Sequence, residues 1–145
     1  MRGIKRVLVK RRSSFSAGTP AYIDTLRLEA DRICYEHKPV FYDEVPSARK
    51  WDYSTNSPEF EKLFLAAAEE AERILAGPDA GFEQNKGDIR FTLVYTDRSR
   101  RTRTFFLSPV SFPSFFSAVW QMIPGSEDLD LLKEAMSLSL HQQNC

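Results

Sequence analysis

Cys34-x-x-His37 and His141-x-x-x-Cys145 offer two thiols and two imidazoles, the donor set of a structural zinc ion. Their spacing argues against it. On a strand, residues three apart point to opposite faces, so Cys34 and His37 do not converge on one ion. The second pair has i, i+4 spacing but includes the last residue of the sequence, where fraying is expected. The expectation is a small core cysteine, a surface histidine and no metal. Neither histidine stands beside a nucleophile in a recognisable motif, and the glycines are scattered at turns rather than gathered into a phosphate loop. Glu69-Glu70 and Glu127-Asp128 are adjacent carboxylates, but neighbours on a helix do not converge on one site, so they read as solvated faces. No catalytic residue and no cofactor is expected, although side chains gathered from separate loops would escape a reading of this kind.

The arginines are the other candidate chemistry. Arg98, Arg100, Arg101 and Arg103 crowd the stretch TDRSRRTRT, and Lys5, Arg6, Lys10, Arg11 and Arg12 crowd the N-terminal segment. Brought together, these residues would form one face for a phosphate or an acidic protein. That requires the strands carrying them to be neighbours. The competing reading is plainer: a solvated hairpin tip, and charged strands kept from associating edge to edge. The totals favour the plainer one. With 20 basic and 20 acidic residues the formal net charge is zero, whereas nucleic-acid domains usually carry a basic excess. Aromatics interleaved with the basic residues, as on base-stacking sheets, are also missing.

The elements that would position these residues follow from periodicity. The length suits one α+β domain over 1–145. Ile4 to Val9 reads as a strand, Tyr22 to Ala30 alternates as a half-buried strand, and Ile33 to His37 returns after a tight turn near Asp31. Lys38 to Asn56 reads as a long connection. Ser57 then suits an N-cap and Pro58 a first helical position, and Phe60, Leu63, Phe64, Ala67, Ala71, Ile74 and Leu75 recur on one helical face until Gly77-Pro78. Ile89 to Tyr95 and Thr102 to Leu107 read as two more strands around a turn at Asp97 to Arg100. A helix from Pro113 to Ile123 and another from Ser126 complete the order β-β-β-α-β-β-α-α. The fold class expected is a twisted antiparallel sheet of about five strands with two to three helices on one face.

The connection from 38 to 56 holds Phe41, Tyr42, Trp51 and Tyr53. Long connections tend to be functional or packed down, and aromatics with a polar tip suit interfaces, so these residues are the interface candidates. The alternative is that Trp51 and Tyr53 fold back onto the first helical turn near Phe60 and Leu63. Across Trp51-Asp-Tyr-Ser-Thr-Asn-Ser-Pro58, and again at Tyr95-Thr-Asp97, the chain resembles small bacterial α+β proteins. In those proteins a W-x-Y-x-T-x-S-P segment opens the main helix and a Y-x-D hairpin follows. The resemblance spans most of the chain and implies the fold and a bacterial cytosolic setting; it carries over no catalytic or binding residue.

Two widely separated cysteines make no disulfide framework and point to a reducing compartment. No apolar run reaches the roughly 20 residues a membrane span needs, so no membrane partner is expected. The Arg- and Ser-rich start has the composition of a transit peptide, but it also reads as a strand. The functional expectation is a small cytoplasmic, non-catalytic domain that binds another protein or its own copy. The alternative is an anion or nucleic-acid binder using the basic segments.

Overall fold

Two-residue alternation of apolar and polar side chains accounts for most of the sheet. The computed structural model describes residues 3–13, 22–39, 49–78, 81 and 87–124. Six strands form one antiparallel sheet: β1 (Ile4–Arg12), β2 (Tyr22–Glu29), β3 (Arg32–Pro39), β4 (Arg49–Ser54), β5 (Asp88–Tyr95) and β6 (Arg100–Phe105), in the order β4-β3-β2-β1-β5-β6. The helices α1 (Pro58–Ala76) and α2 (Pro113–Met122) pack on one face, so the fold is α+β as expected. The helix expected from Ser126 lies outside the described residues. Among the described residues no helix is long and apolar enough to cross a membrane.

One strand more is present than the periodicity predicts. β4 lies inside the stretch read as a connection. It is six residues long, and it becomes a strand because it pairs with β3, with Tyr53 against Ile33 and Trp51 against Tyr35. β1 also runs three residues beyond its expected end, to Arg12, since it is paired on both sides. The β5–β6 hairpin closes through Thr96-Asp97-Arg98. Tyr95 N–H donates to Ser99 C=O at 2.9 Å, and Arg98 takes the left-handed position at φ 72° that such loops usually give to glycine.

The register sets the core. Val7, Val9, Leu26, Leu28, Ile33, Tyr35, Ile89, Phe91 and Leu93 share the helix-covered face and are buried with Phe60, Phe64, Ala67, Ala71 and Leu75 of α1 and Phe115, Phe116 and Val119 of α2. α1 starts as its sequence dictates: the Ser57 hydroxyl accepts from Glu59 N–H at 3.2 Å, and Pro58 occupies the first turn. Its other end is capped by a side chain from the sheet. Arg103 of β6 donates to the carbonyl oxygens of Ile74 at 3.3 Å and Pro78 at 2.9 Å, and also to Gly77, while its guanidinium lies 4.7 Å from the Phe105 ring centroid. A cation there supplies further donors to carbonyls at and just beyond the last helical turn, where the helix's own bonds run out, and offsets the negative end of the helix dipole. Replacing Arg103 with alanine should lower stability by about 1–2 kcal/mol. Urea denaturation of Arg103→Ala beside Arg100→Ala checks this: equal, near-zero effects would remove the capping role.

Candidate functional site

Three places in the fold bring functional groups together. The first is a polar cluster at the end of the sheet where β1 ends and β2 begins. Arg11, Asp24 and His37 stand in one row across β1, β2 and β3, on the face that carries the core. Asp24 is a buried carboxylate, its side chain 1% exposed. Its Oδ1 accepts from the Tyr35 hydroxyl at 2.6 Å and lies 2.6 Å from His37 Nδ1. In its ionised form a carboxylate only accepts, and the contact then requires the tautomer with the proton on Nδ1. Arg11 donates to the Tyr22 hydroxyl at 2.8 Å, and the Tyr22 ring lies 4.9 Å from that of His37. Among the described residues, Oδ2 of Asp24 is buried without a hydrogen-bond partner. A carboxylate that orients an imidazole is half of an acid–base arrangement.

Reading the sequence linearly misses this cluster, with His37 noticed only as half of a metal set. The hairpin supplies the signal. Once the turn is placed at Ala30-Asp31, Glu29 faces Arg32, and counting outward sets Asp24 against His37. Cys34 is a half-buried free thiol on the opposite face from His37, as the spacing requires. No group of His, Cys, Asp and Glu among the described residues could hold a metal ion. His141 and Cys145 lie outside them.

The second place is the basic face. The strand order places β5 between β1 and β6, so the two strands that carry the basic segments are not neighbours and the condition for gathering them is not met. On the face away from the helices Lys10 stands opposite Arg90, and both are exposed. Arg6 pairs with Glu29 at 3.5 Å, and Arg12 holds Asp88 through Nε at 3.0 and 3.1 Å and through Nη2. The Asp88 hydrogen bond, and then its charge, raises the pKa of the Arg12 guanidinium above its ordinary value. Arg100 lies on this same face opposite Val94, while Arg101 and Arg103 lie on the helix-covered side. Arg98 is at the hairpin tip and Lys5 is exposed near the start of β1. Arg11 and Arg103 direct donors to partners within the chain, and Arg6 and Arg12 are held in ion pairs.

The third place is the edge of the sheet at β4. Trp51 and Tyr53 are half-buried and pack against the core, and the Tyr53 ring meets Phe60 edge-on with centroids 5.9 Å apart. Phe41 and Tyr42 lie outside the described residues. Thr55 N–H donates to Asp31 C=O at 2.9 Å, which fixes the phase of the ladder. By alternation Trp51 and Tyr53 turn their N–H and C=O groups toward β3, whereas Lys50, Asp52 and Ser54 turn theirs outward. Among the described residues no strand covers that outer side. On the helix-free face Lys50 lies 3.8 Å from Glu36, and Asp52 accepts from Arg32 at 2.9 Å. Those residues border a pocket of about 190 Å³ that also includes Cys34, Thr25 and Arg27. A second pocket, of about 410 Å³, opens beside the start of α1 between Lys5, Glu29, Asp31 and Glu61. Compared with known protein families and with curated proteins, the chain matches no family model and no curated protein.

Proposed function

We infer that this chain is a small, non-catalytic binding domain that takes a strand of a partner protein onto the outer edge of β4. One observation carries the reading: the outward N–H and C=O groups of Lys50, Asp52 and Ser54 form a row at the end of the sheet that no strand among the described residues pairs. Such a row is a template for strand addition, in which backbone hydrogen bonds supply affinity and side-chain alternation supplies specificity. The other edge differs. β6 carries Arg100, Arg101 and Arg103, a same-sign pattern that resists pairing. The proposal sets the domain in a bacterial cytosol, on the strength of its widely separated cysteines and the resemblance at its helix start.

Proline at an edge position whose N–H points outward removes a donor without breaking the inner ladder. Capture from native lysate should therefore lose its partner with Asp52→Pro and keep it with Thr102→Pro on β6. Equal capture by both variants would remove β4 from the reading.

A second reading, an anion or nucleic-acid binder, is favoured by Lys10 facing Arg90 on the helix-free face. Fluorescence anisotropy with short DNA and RNA at two salt concentrations tests it, since contacts to phosphates weaken steeply with salt. No binding at low salt would end that reading.

A further inference from the structure

We propose that the strand added to β4 is β4 of a second copy of this chain, paired antiparallel about a two-fold axis at Trp51. This rests on the reading of β4 as a binding edge and names its partner. Strand β4 reads Arg49-Lys50-Trp51-Asp52-Tyr53-Ser54. Its outward backbone groups belong to Lys50, Asp52 and Ser54, so any strand adding to this edge hydrogen-bonds at those positions.

A two-fold antiparallel pairing must match outward residues with outward residues. Centring it on Asp52 sets two aspartates against each other, and like charges directly opposite are destabilising. Centring it on Trp51 sets Lys50 of each copy against Asp52 of the other, twice by symmetry. Both side chains are available for this, Lys50 being 84% and Asp52 58% exposed. The two Trp51 rings then meet as a non-hydrogen-bonded pair, the kind in which facing side chains come closest.

The charges within each chain extend the match. Arg32 already holds Asp52, and Glu36 already lies by Lys50. Across the junction the helix-free face would run Arg32, Asp52, then Lys50 and Glu36 of the second copy, alternating in sign throughout. β6 cannot be used the same way. Its outward positions by the same phase are Arg100, Thr102 and Thr104, and its other positions include Arg101 and Arg103. Symmetric pairing about the middle of β6 brings arginine close to arginine. A heterologous pairing of β4 with β6 would generate an open chain of copies rather than a closed dimer. The self-complementary edge is therefore the one that closes.

The test is light scattering after size exclusion on the full chain over a range of concentrations, with sedimentation to obtain Kd. The wild type should be a dimer that dissociates on dilution. Lys50→Asp turns both symmetric attractions into repulsions and should weaken the dimer about thirtyfold. Lys50→Asp combined with Asp52→Lys exchanges the charges and should restore most of the affinity, a recovery that general destabilisation would not give. Asp52→Pro should leave a folded monomer by circular dichroism.

A wild type that stays monomeric at the highest concentration overturns self-pairing. If Asp52→Pro still abolishes capture of a different protein, β4 remains a binding edge and only the identity of the partner is wrong. If neither dimer nor capture depends on β4, both readings fail. A dimer indifferent to Lys50→Asp and Asp52→Pro forms through another surface and also overturns the proposal.

Discussion

Phe91→Ala should lower stability by about 3–5 kcal/mol, at the upper end for a core truncation. Phe91 is fully buried on β5 and is where sheet and second helix meet. Its ring centroid lies 5.0 Å from that of Phe112, 5.2 Å from Phe115 and 6.0 Å from Phe105, each pair edge-on. Edge-on geometry places the positive rim of one ring on the negative face of the next, worth about 0.5–1.5 kcal/mol per pair beyond burial. Alanine removes the ring from all three contacts at once and leaves a cavity that the rigid β5 backbone, paired on both sides, cannot close. A domain of this size holds roughly 5–15 kcal/mol in total, so the variant should be near the limit of folding at physiological temperature. Its melting temperature should fall by about 10–20 °C. Phe91→Leu, which keeps most of the volume, should recover more than half of the loss. An alanine variant that costs less than about 1 kcal/mol would mean that α2 does not depend on Phe91 for its place.

The aromatic cluster was legible only as a list. Periodicity identifies Phe91 and Phe115 as inward residues, because alternation and helical spacing are local properties of the chain. α1 was legible almost to the residue for the same reason: Ser57, Pro58 and Gly77-Pro78 act on backbone groups next to them. Contacts between distant residues were not legible. β4 has no local signature strong enough to name it, since Lys50 and Asp52 are poor strand formers and its strand character comes from β3. Arg103 shows the same limit. In the sequence it is one of a run of arginines at a hairpin, and it caps a helix only because β6 passes the C-terminal end of α1. Asp24 and His37 are 13 positions apart, and only the hairpin register makes them partners.

Asp24 is also the residue whose replacement separates structure from function. Asp24→Ala should cost about 2–4 kcal/mol if the cluster exists for stability. The change removes the buried carboxylate oxygen that the Tyr35 hydroxyl and the His37 ring share, and hydrogen bonds to a carboxylate contribute about 1.5–3 kcal/mol each. Against this stands the cost of Asp24 itself. Its Oδ2 is withdrawn from water with no partner among the described residues, so removing the carboxylate also removes a desolvation penalty. Asp24→Asn distinguishes the two contributions. The amide keeps an acceptor for Tyr35 and His37 but replaces the unpartnered oxygen with a donor or forces the group to flip, so its cost should fall below that of alanine. Urea denaturation of both variants at one pH checks the order. If Asp24→Ala is instead neutral or stabilising, the wild-type carboxylate is held at a net cost to the fold. Groups held at such a cost are characteristic of functional sites, and that result would move the search for a ligand from the β4 edge to the Asp24–His37 pair.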